Sequence, residues 1–239
     1  MKRLLIALLA LTLLLSACAQ RAPAEEPSAA SAVPTATPAP KAVYARIVRE
    51  REQTYGKGDF AETVGGFLPF GVARVVLEDL NGDGLMELLL WENTLSQDEQ
   101  GNAVPGSAKI EVWTYDNITG EAVSLYEGEP LTGGDPGAQY LSLVKLDRQW
   151  MLLTGLAGGV LDVEYRALRY GRFETVHTAR EEYENGEMIL YVDGEPMDYE
   201  DYWAMEDTRR DLCNAFYTDE DAVRQLLNAT ARTRQSLGI

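Results

Sequence analysis

Residues 73–91 have the sequence ARVVLEDLNGDGLMELLLW. The apolar runs 73–77 and 88–91 are typical of β-strands, because branched, aliphatic and aromatic side chains fit the pleated surface of a sheet. The segment between them, 79–87, is rich in Asp, Asn and Gly, the residues that form tight turns. We therefore predict two strands that are joined by this loop.

The loop also carries oxygen atoms at the spacing that a hard cation requires. Side-chain oxygens occur at alternate positions, Gly84 permits a sharp turn, and a backbone carbonyl and a further carboxylate can complete the cage. The candidate metal ligands are Asp79, Asn81, Asp83, Leu85 through its carbonyl, and Glu87. Calcium fits this set better than zinc, since the loop has no thiolate or imidazole, and better than magnesium, which retains its waters.

The pattern D-x-N-G-D-G-x-x-E-L resembles both the EF-hand loop and the calcium loops of FG-GAP or VCBS-type repeats. An EF-hand requires a bidentate acid at its twelfth position, which is Leu90 here, and helices on both sides. The strand-like flanks make the loop similar to the FG-GAP kind, and that resemblance implies the same five ligands. It covers about a tenth of the chain, and without a second copy we do not expect a full propeller.

The alternative interpretation of the loop is a metal-free hairpin in which Asx-turns and glycines serve only as turn residues. Carboxylates packed at ligand spacing repel one another without a cation, which favours calcium. The loop lacks a strong bidentate acid, so we expect a structural ion with a dissociation constant on the order of 10⁻⁴ to 10⁻³ M.

The first residues predict export. Lys2 and Arg3 precede the apolar run 4–15, which is short for a membrane span. Leu15-Ser16-Ala17-Cys18 then resembles the lipobox of bacterial lipoproteins, which implies a signal peptide at 1–17, acylation of Cys18 and a location on the extracytoplasmic face of the cell membrane. The alternative is an ordinary secretory signal with an incidental cysteine.

Residues 18–41 form a predicted disordered linker, since they consist almost entirely of Ala, Pro, Ser, Thr and Glu and cannot bury a core. Residues 42–239 form a predicted globular domain. Its fold class is mainly β (α+β): an antiparallel β-meander with an N-terminal helix at 42–55 and C-terminal helices after Asp198 and Thr218. This arrangement resembles a group of surface lipoproteins of gut Firmicutes, a likeness that brings no activity with it.

Composition narrows the range of partners. The formal net charge is −17, and it becomes −19 when the leader with Lys2 and Arg3 is removed, which argues against nucleic acid. Membrane contact should therefore come from the acyl chains and not from a basic face. Lipidation of Cys18 leaves Cys213 alone, so we expect no intramolecular disulfide and an inert, buried thiol. We expect a monomer.

No catalytic motif is found in the sequence, and we predict that the protein is not an enzyme. The only histidine, His177, lies in a predicted strand, and Arg209-Arg210 are expected on a solvated helix face. Six aromatic residues in strands favour a core over a ligand platform: Trp91, Trp113, Tyr115, Tyr140, Trp150 and Tyr170. We expect a module that binds or scaffolds a glycan or protein ligand; the alternative is a cell-envelope or glycan hydrolase that uses acidic residues.

Overall fold

The computed structural model describes residues 39–63, 65–129, 138–157, 160–212 and 217–239. The predicted signal peptide, Cys18, nearly all of the linker and Cys213 lie outside the described residues. Among the described helices, none is both long and apolar enough to cross a membrane.

Helix α1 spans Pro40–Tyr55 and confirms the predicted N-terminal helix. Proline suits its first turn, where the missing N–H has no intrahelical partner. Val43, Ile47 and Val48 recur at helical spacing and are buried on one face, together with Tyr44. The helix ends at Gly56, whose φ of 87° suits a residue without a Cβ.

The first sheet is an antiparallel meander of five strands in sequence order. Its strands are β1 Asp59–Thr63, β2 Gly66–Glu78, β3 Glu87–Gln97, β4 Ala103–Asp116 and β5 Glu121–Gly128. The candidate calcium loop therefore joins β2 to β3, with strands on both sides as the sequence predicts.

The second sheet has seven antiparallel strands in the order β11-β10-β9-β8-β7-β6-β12. They are β6 Ala138–Leu146, β7 Gln149–Ala157, β8 Asp162–Arg169, β9 Arg172–Glu184, β10 Glu187–Val192, β11 Glu195–Pro196 and β12 Thr208–Asp211. The prediction that Arg209-Arg210 lie on a helix face is wrong. They lie in β12, an edge strand that pairs with β6, where charged side chains are well tolerated.

Two further described helices lie on either side of β12 in the sequence. Helix α2, Tyr199–Ala204, begins after Asp198 as predicted, although that side chain makes no capping hydrogen bond. Helix α3, Glu220–Leu237, is capped by Asp219, whose carboxylate accepts from the amide of Asp221. The cap is thus one residue later than the predicted Thr218, because the carboxylate of Asp219 takes that role.

The described elements form four layers, which confirms the mainly β class and divides the predicted meander between two sheets. The second sheet packs against one face of the first, and α1 packs against the other face. The alternation within β3 shows this directly: Leu89 and Trp91 face the second sheet, whereas Leu88 and Leu90 face α1. Helix α2 packs through Tyr202 on the outer face of the second sheet. The continuous apolar run 88–91 is therefore explained by a strand that is buried on both faces.

The aromatic residues divide between the core and the surface. Trp91, Tyr115 and Trp150 are buried, as predicted. Trp113 is half-buried, and the prediction that Tyr170 belongs to the core is wrong, since this residue occupies the β8–β9 turn and is 98% exposed. The side chain of Tyr140 lies outside the described part of the chain.

Candidate functional site

The loop at 79–87 is built on a regular strand pair. Leu77 faces Leu88 and Glu78 faces Glu87 in the antiparallel register of β2 and β3, and the chain turns over in between. Leu80 points into the core between the sheets and is 1% exposed. Leu80 thus holds the loop against the core, while Asp79 and residues 81–84 lie outside that core.

Asp79 organises the tip of the loop. Its Oδ1 accepts hydrogen bonds from the amides of Gly82 at 2.8 Å and Asp83 at 3.1 Å, and its Oδ2 accepts from the amide of Gly84 at 2.9 Å. Gly82 and Gly84 both have positive φ, which turns successive amides towards the same carboxylate. These are Asx-type bonds, the turn contacts expected for the metal-free alternative.

Asn81 and Asp83 form a second set of contacts within the loop. The Asn81 amide donates from Nδ2 to Asp83 Oδ2 at 2.9 Å, and Asn81 Oδ1 accepts from the amide of Asp83 at 3.0 Å. Asp83 Oδ1 accepts from the amide of Leu85 at 2.7 Å. The structure therefore brings the side chains of Asn81 and Asp83 together, while Asp79 contacts the same turn through its backbone amides.

Glu87 lies below the loop and is fully buried. Its Oε2 accepts from the amide of Leu80 at 2.9 Å, and its Oε1 accepts from the hydroxyl of Thr114 at 3.0 Å. Burial raises the pKa of Glu87, and the nearby charges of Asp83 and Asp79 raise it further. A cation beside this carboxyl group would stabilise its ionised form.

These positions permit a direct test of the fit to calcium. In the described part of the chain, no three His, Cys, Asp or Glu side chains are gathered as a metal-binding group. However, an ionised carboxylate has about four acceptor sites. Asp79 uses three of them and Asp83 uses two in the hydrogen bonds given above, so each retains an acceptor site. The donor set is all oxygen, which suits a hard cation.

Helix α1 contacts the loop through Tyr44, whose hydroxyl donates to the carbonyl of Met86 at 2.8 Å. Burial raises the pKa of Tyr44, and the charges of Glu87 and Asp83 act in the same direction. The phenol therefore remains a neutral donor, and it links the end of the loop to α1.

No family model, curated protein or solved structure matches the chain. Its function must therefore be argued from its own residues.

A buried charge cluster under α1 is the feature that the sequence interpretation missed. Arg51 of α1 donates to both carboxylate oxygens of Glu111, at 2.8 and 2.9 Å, and its Nε lies 3.6 Å from Glu92 Oε1. Lys109 lies 2.7 Å from Glu111 and 2.9 Å from Glu127. The side chains of Glu92 and Glu111 are both fully buried in the first sheet.

The two buried carboxyl groups differ in their partners. Burial opposes the ionisation of Glu111, but Arg51 and Lys109 outweigh it and lower its pKa. Neither carboxylate oxygen of Glu92 accepts a hydrogen bond from a described residue. Burial, followed by the charge of Glu111, raises the pKa of Glu92 to about 8. The available signal was Glu92 directly after the apolar run 88–91 and Glu111 among the apolar residues of 110–113, since an acid at such a position requires a partner.

His177 lies in a strand, β9, as the sequence predicts. Its Nδ1 lies 2.7 Å from Asp193 Oδ2, in the turn that follows β10, and the histidine side chain is 37% exposed. The predictions for Cys18 and Cys213 fall on residues outside the described ranges.

Proposed function

We propose that this chain is an exported protein that is held on the extracytoplasmic face of a membrane by lipid on Cys18. Its β domain binds or scaffolds a partner, and calcium stabilises the 79–87 loop. The anchor is supported by the lipobox-like sequence Leu15-Ser16-Ala17-Cys18. The strongly negative charge disfavours an electrostatic contact with anionic lipid and leaves the acyl chains to hold the protein.

The observation that carries the calcium proposal is the arrangement of three carboxylates around one turn. Asp79 and Asp83 accept from the loop amides at its tip; burial raises the pKa of Glu87 at its root, and their charges raise it further. The like charges of Asp79, Asp83 and an ionised Glu87 repel one another in the absence of a cation. Calcium would remove this repulsion and hold the β2–β3 hairpin in place.

The experiment is thermal unfolding of the full chain in a neutral detergent, in EDTA and in 5 mM calcium. For a dissociation constant on the order of 10⁻⁴ to 10⁻³ M, this concentration stabilises the native state by about 1–2 kcal/mol. For a domain of this size, that free energy corresponds to a rise in Tm of about 2–8 °C. Asp79→Asn and Asp83→Asn should each abolish the rise.

Asp98→Asn is the matched control for this experiment. Asp98 lies in the next hairpin and accepts from the amides of Gln100 and Asn102, so that it also organises a turn. The alternate positions that follow it, Gln100 and Asn102, carry no charge, unlike Asp83 in the 79–87 loop, so its variant should retain the full calcium response. Equal melting curves in EDTA and calcium for the wild-type chain would show that the loop is a turn without a calcium site.

A hydrolase would require a pair of acids that substrate can reach. Glu92 and Glu111 are the acids that the structure places together under α1, and both are fully buried. This pair therefore supports a structural role for the cluster and gives no support to the hydrolytic alternative.

A further inference from the structure

An open groove lies where the β9–β10 hairpin passes the start of α2. Its cavity volume is about 340 Å³, and its walls include Met188, Leu190, Met197, Asp198 and Tyr199. This volume is at the lower end of the range for binding pockets, which is about 300–1,000 Å³. The groove lies on the second sheet, whereas the candidate calcium loop belongs to the first.

The floor of the groove continues the apolar face that α2 covers. Leu190 and Val192 of β10 are buried in the cluster that contains Tyr202 of α2. Met188 lies two residues before Leu190, so it faces the same side of the strand, and it is 39% exposed. Tyr183, which pairs with Met188 across the ladder, is 72% exposed. The apolar face thus extends beyond the part that α2 covers.

The exposed Met188 and the half-buried Met197 of the groove are of the type that binds proteins. Met188 and Met197 have flexible, polarisable side chains, which adapt to partners of different shapes. Tyr199 is 40% exposed, and its hydroxyl is already fixed by a hydrogen bond of 2.6 Å to Glu181 Oε1. Methionine and tyrosine are enriched at protein interfaces.

The charge around the groove has a single sign. Between Arg180 and Arg209 the chain has eleven acidic residues and no lysine or arginine. Asp198 lines the groove and makes no capping hydrogen bond, and the exposed Glu184 and Glu187 lie beside Tyr183 and Met188 at the end of the hairpin. The groove therefore combines an apolar floor with an acidic rim.

We propose that this groove docks a basic segment of a partner protein, in which apolar side chains alternate with lysine or arginine. The apolar side chains would contact Met188 and Met197, and the basic ones would face the acidic rim. A second copy of this chain is disfavoured by its net charge of −17. This inference supplies a partner for the binding role proposed above and rests on that role alone, independently of calcium and lipid.

The experiment uses the methionine methyl groups as local reporters. The chain has six methionines, and the groove contains two of them. The full chain, labelled with ¹³C at the methionine methyls and kept in a neutral detergent, is titrated with a twelve-residue peptide of alternating lysine and leucine. We expect the resonances of Met188 and Met197 to shift while those of Met86 and Met151 stay in place. Raising NaCl from 50 to 500 mM should weaken the apparent affinity severalfold.

Two variants and one matched peptide make the result specific. Met188→Ser should weaken binding of the lysine peptide about tenfold, a typical cost for the loss of an apolar interface contact. Met86→Ser removes a methionine that is 50% exposed in the calcium loop, and it should leave the affinity unchanged. The remaining methionine resonances show whether each variant is folded. A peptide of alternating glutamate and leucine should leave all resonances in place.

Several outcomes would overturn the proposal. Equal shifts with the glutamate peptide would show an apolar patch without charge selectivity. Shifts of Met188 and Met197 with protein concentration alone would indicate self-association, and shifts with a neutral oligosaccharide but not with the lysine peptide would indicate a glycan site. Failure of the lysine peptide to shift these two resonances would remove the groove as a docking site, and the calcium response and the lipid anchor would be unaffected.

Discussion

At the scale of single residues, Glu92 is the group whose ionisation should control stability. Its carboxyl group is fully buried beside Arg51 and Glu111, and its pKa is raised to about 8 from an ordinary value of 4.5. Between these two values the unfolded chain loses the proton while the folded chain keeps it. The folded state then binds more protons, so its stability falls as pH rises through this window.

For this one proton, the free energy of unfolding should fall by up to about 1.4 kcal/mol for each pH unit, which is the free energy of one pKa unit. We predict that urea unfolding of the wild-type chain shows this loss between pH 5 and pH 8. Glu92→Gln cannot ionise, so its stability should change less over the same range. Glu50→Gln, on the exposed face of α1, is the control and should follow the wild type. Parallel pH profiles for wild type and Glu92→Gln would contradict the predicted ionisation.

Glu92 and Asp79 also show what a sequence can predict about a site. The partners of Asp79 lie within five positions along the chain, so its turn geometry could be predicted from the local pattern. The charge cluster joins Arg51 to Glu111, which are sixty positions apart. Such pairing depends on how α1 crosses the first sheet, and a local pattern does not contain that information.

At the scale of the elements, α3 is attached to the first sheet through Thr230. The register of β2 shifts between Val72 and Arg74, which forms a bulge at Ala73. The hydroxyl of Thr230 donates to the carbonyl of Ala73 at 3.0 Å and accepts from the amide of Val75 at 3.3 Å. One buried side chain therefore satisfies two backbone groups at the bulge.

Thr230→Val keeps the shape of the side chain but leaves both backbone groups unpaired. We predict a loss of about 1–3 kcal/mol, the usual cost of an unsatisfied buried group, measured as a lower urea midpoint. Thr233→Val is the control. Its hydroxyl bonds to the carbonyl of Ala229 within the same helix at an exposed site, so the expected change is within about 0.5 kcal/mol. Equal losses in both variants would mean that the bulge bonds contribute nothing specific.

The helices and strands were easier to predict from the sequence than the contacts that they make with one another. The periodicity of Val223 and Leu226 predicts α3, and alternation with turn residues predicts most strands. Strand β12 was missed because Thr208–Asp211 is short and charged and is held by pairing with β6. Thr230 carries no local signal for its role, since the bulge that it fills lies more than 150 positions away.

At the scale of the whole molecule, the sequence predicts the strands, but it does not say how they are stacked. The apolar side chains of the run 88–91 point to both faces of β3, so each face has to pack against another element. In the folded chain, α1 packs on one face of β3 and the second sheet packs on the other, and these are long-range contacts. The acidic surface of the molecule has a further consequence for its location, because it repels anionic headgroups and leaves attachment to the predicted acyl chains.

Each buried methylene of an acyl chain contributes about 0.8 kcal/mol, and stable anchoring requires more than one chain. We therefore predict that the wild-type chain, expressed in a bacterial host, incorporates labelled palmitate and enters the detergent phase on partition. Cys18→Ser should lose the label and enter the aqueous phase, whereas Cys213→Ser should behave as the wild type because it retains the lipobox cysteine. Label in Cys18→Ser, or its absence from the wild type, would exclude acylation at Cys18. In that case the leader would be an ordinary secretory signal, and the domain would act free of the membrane.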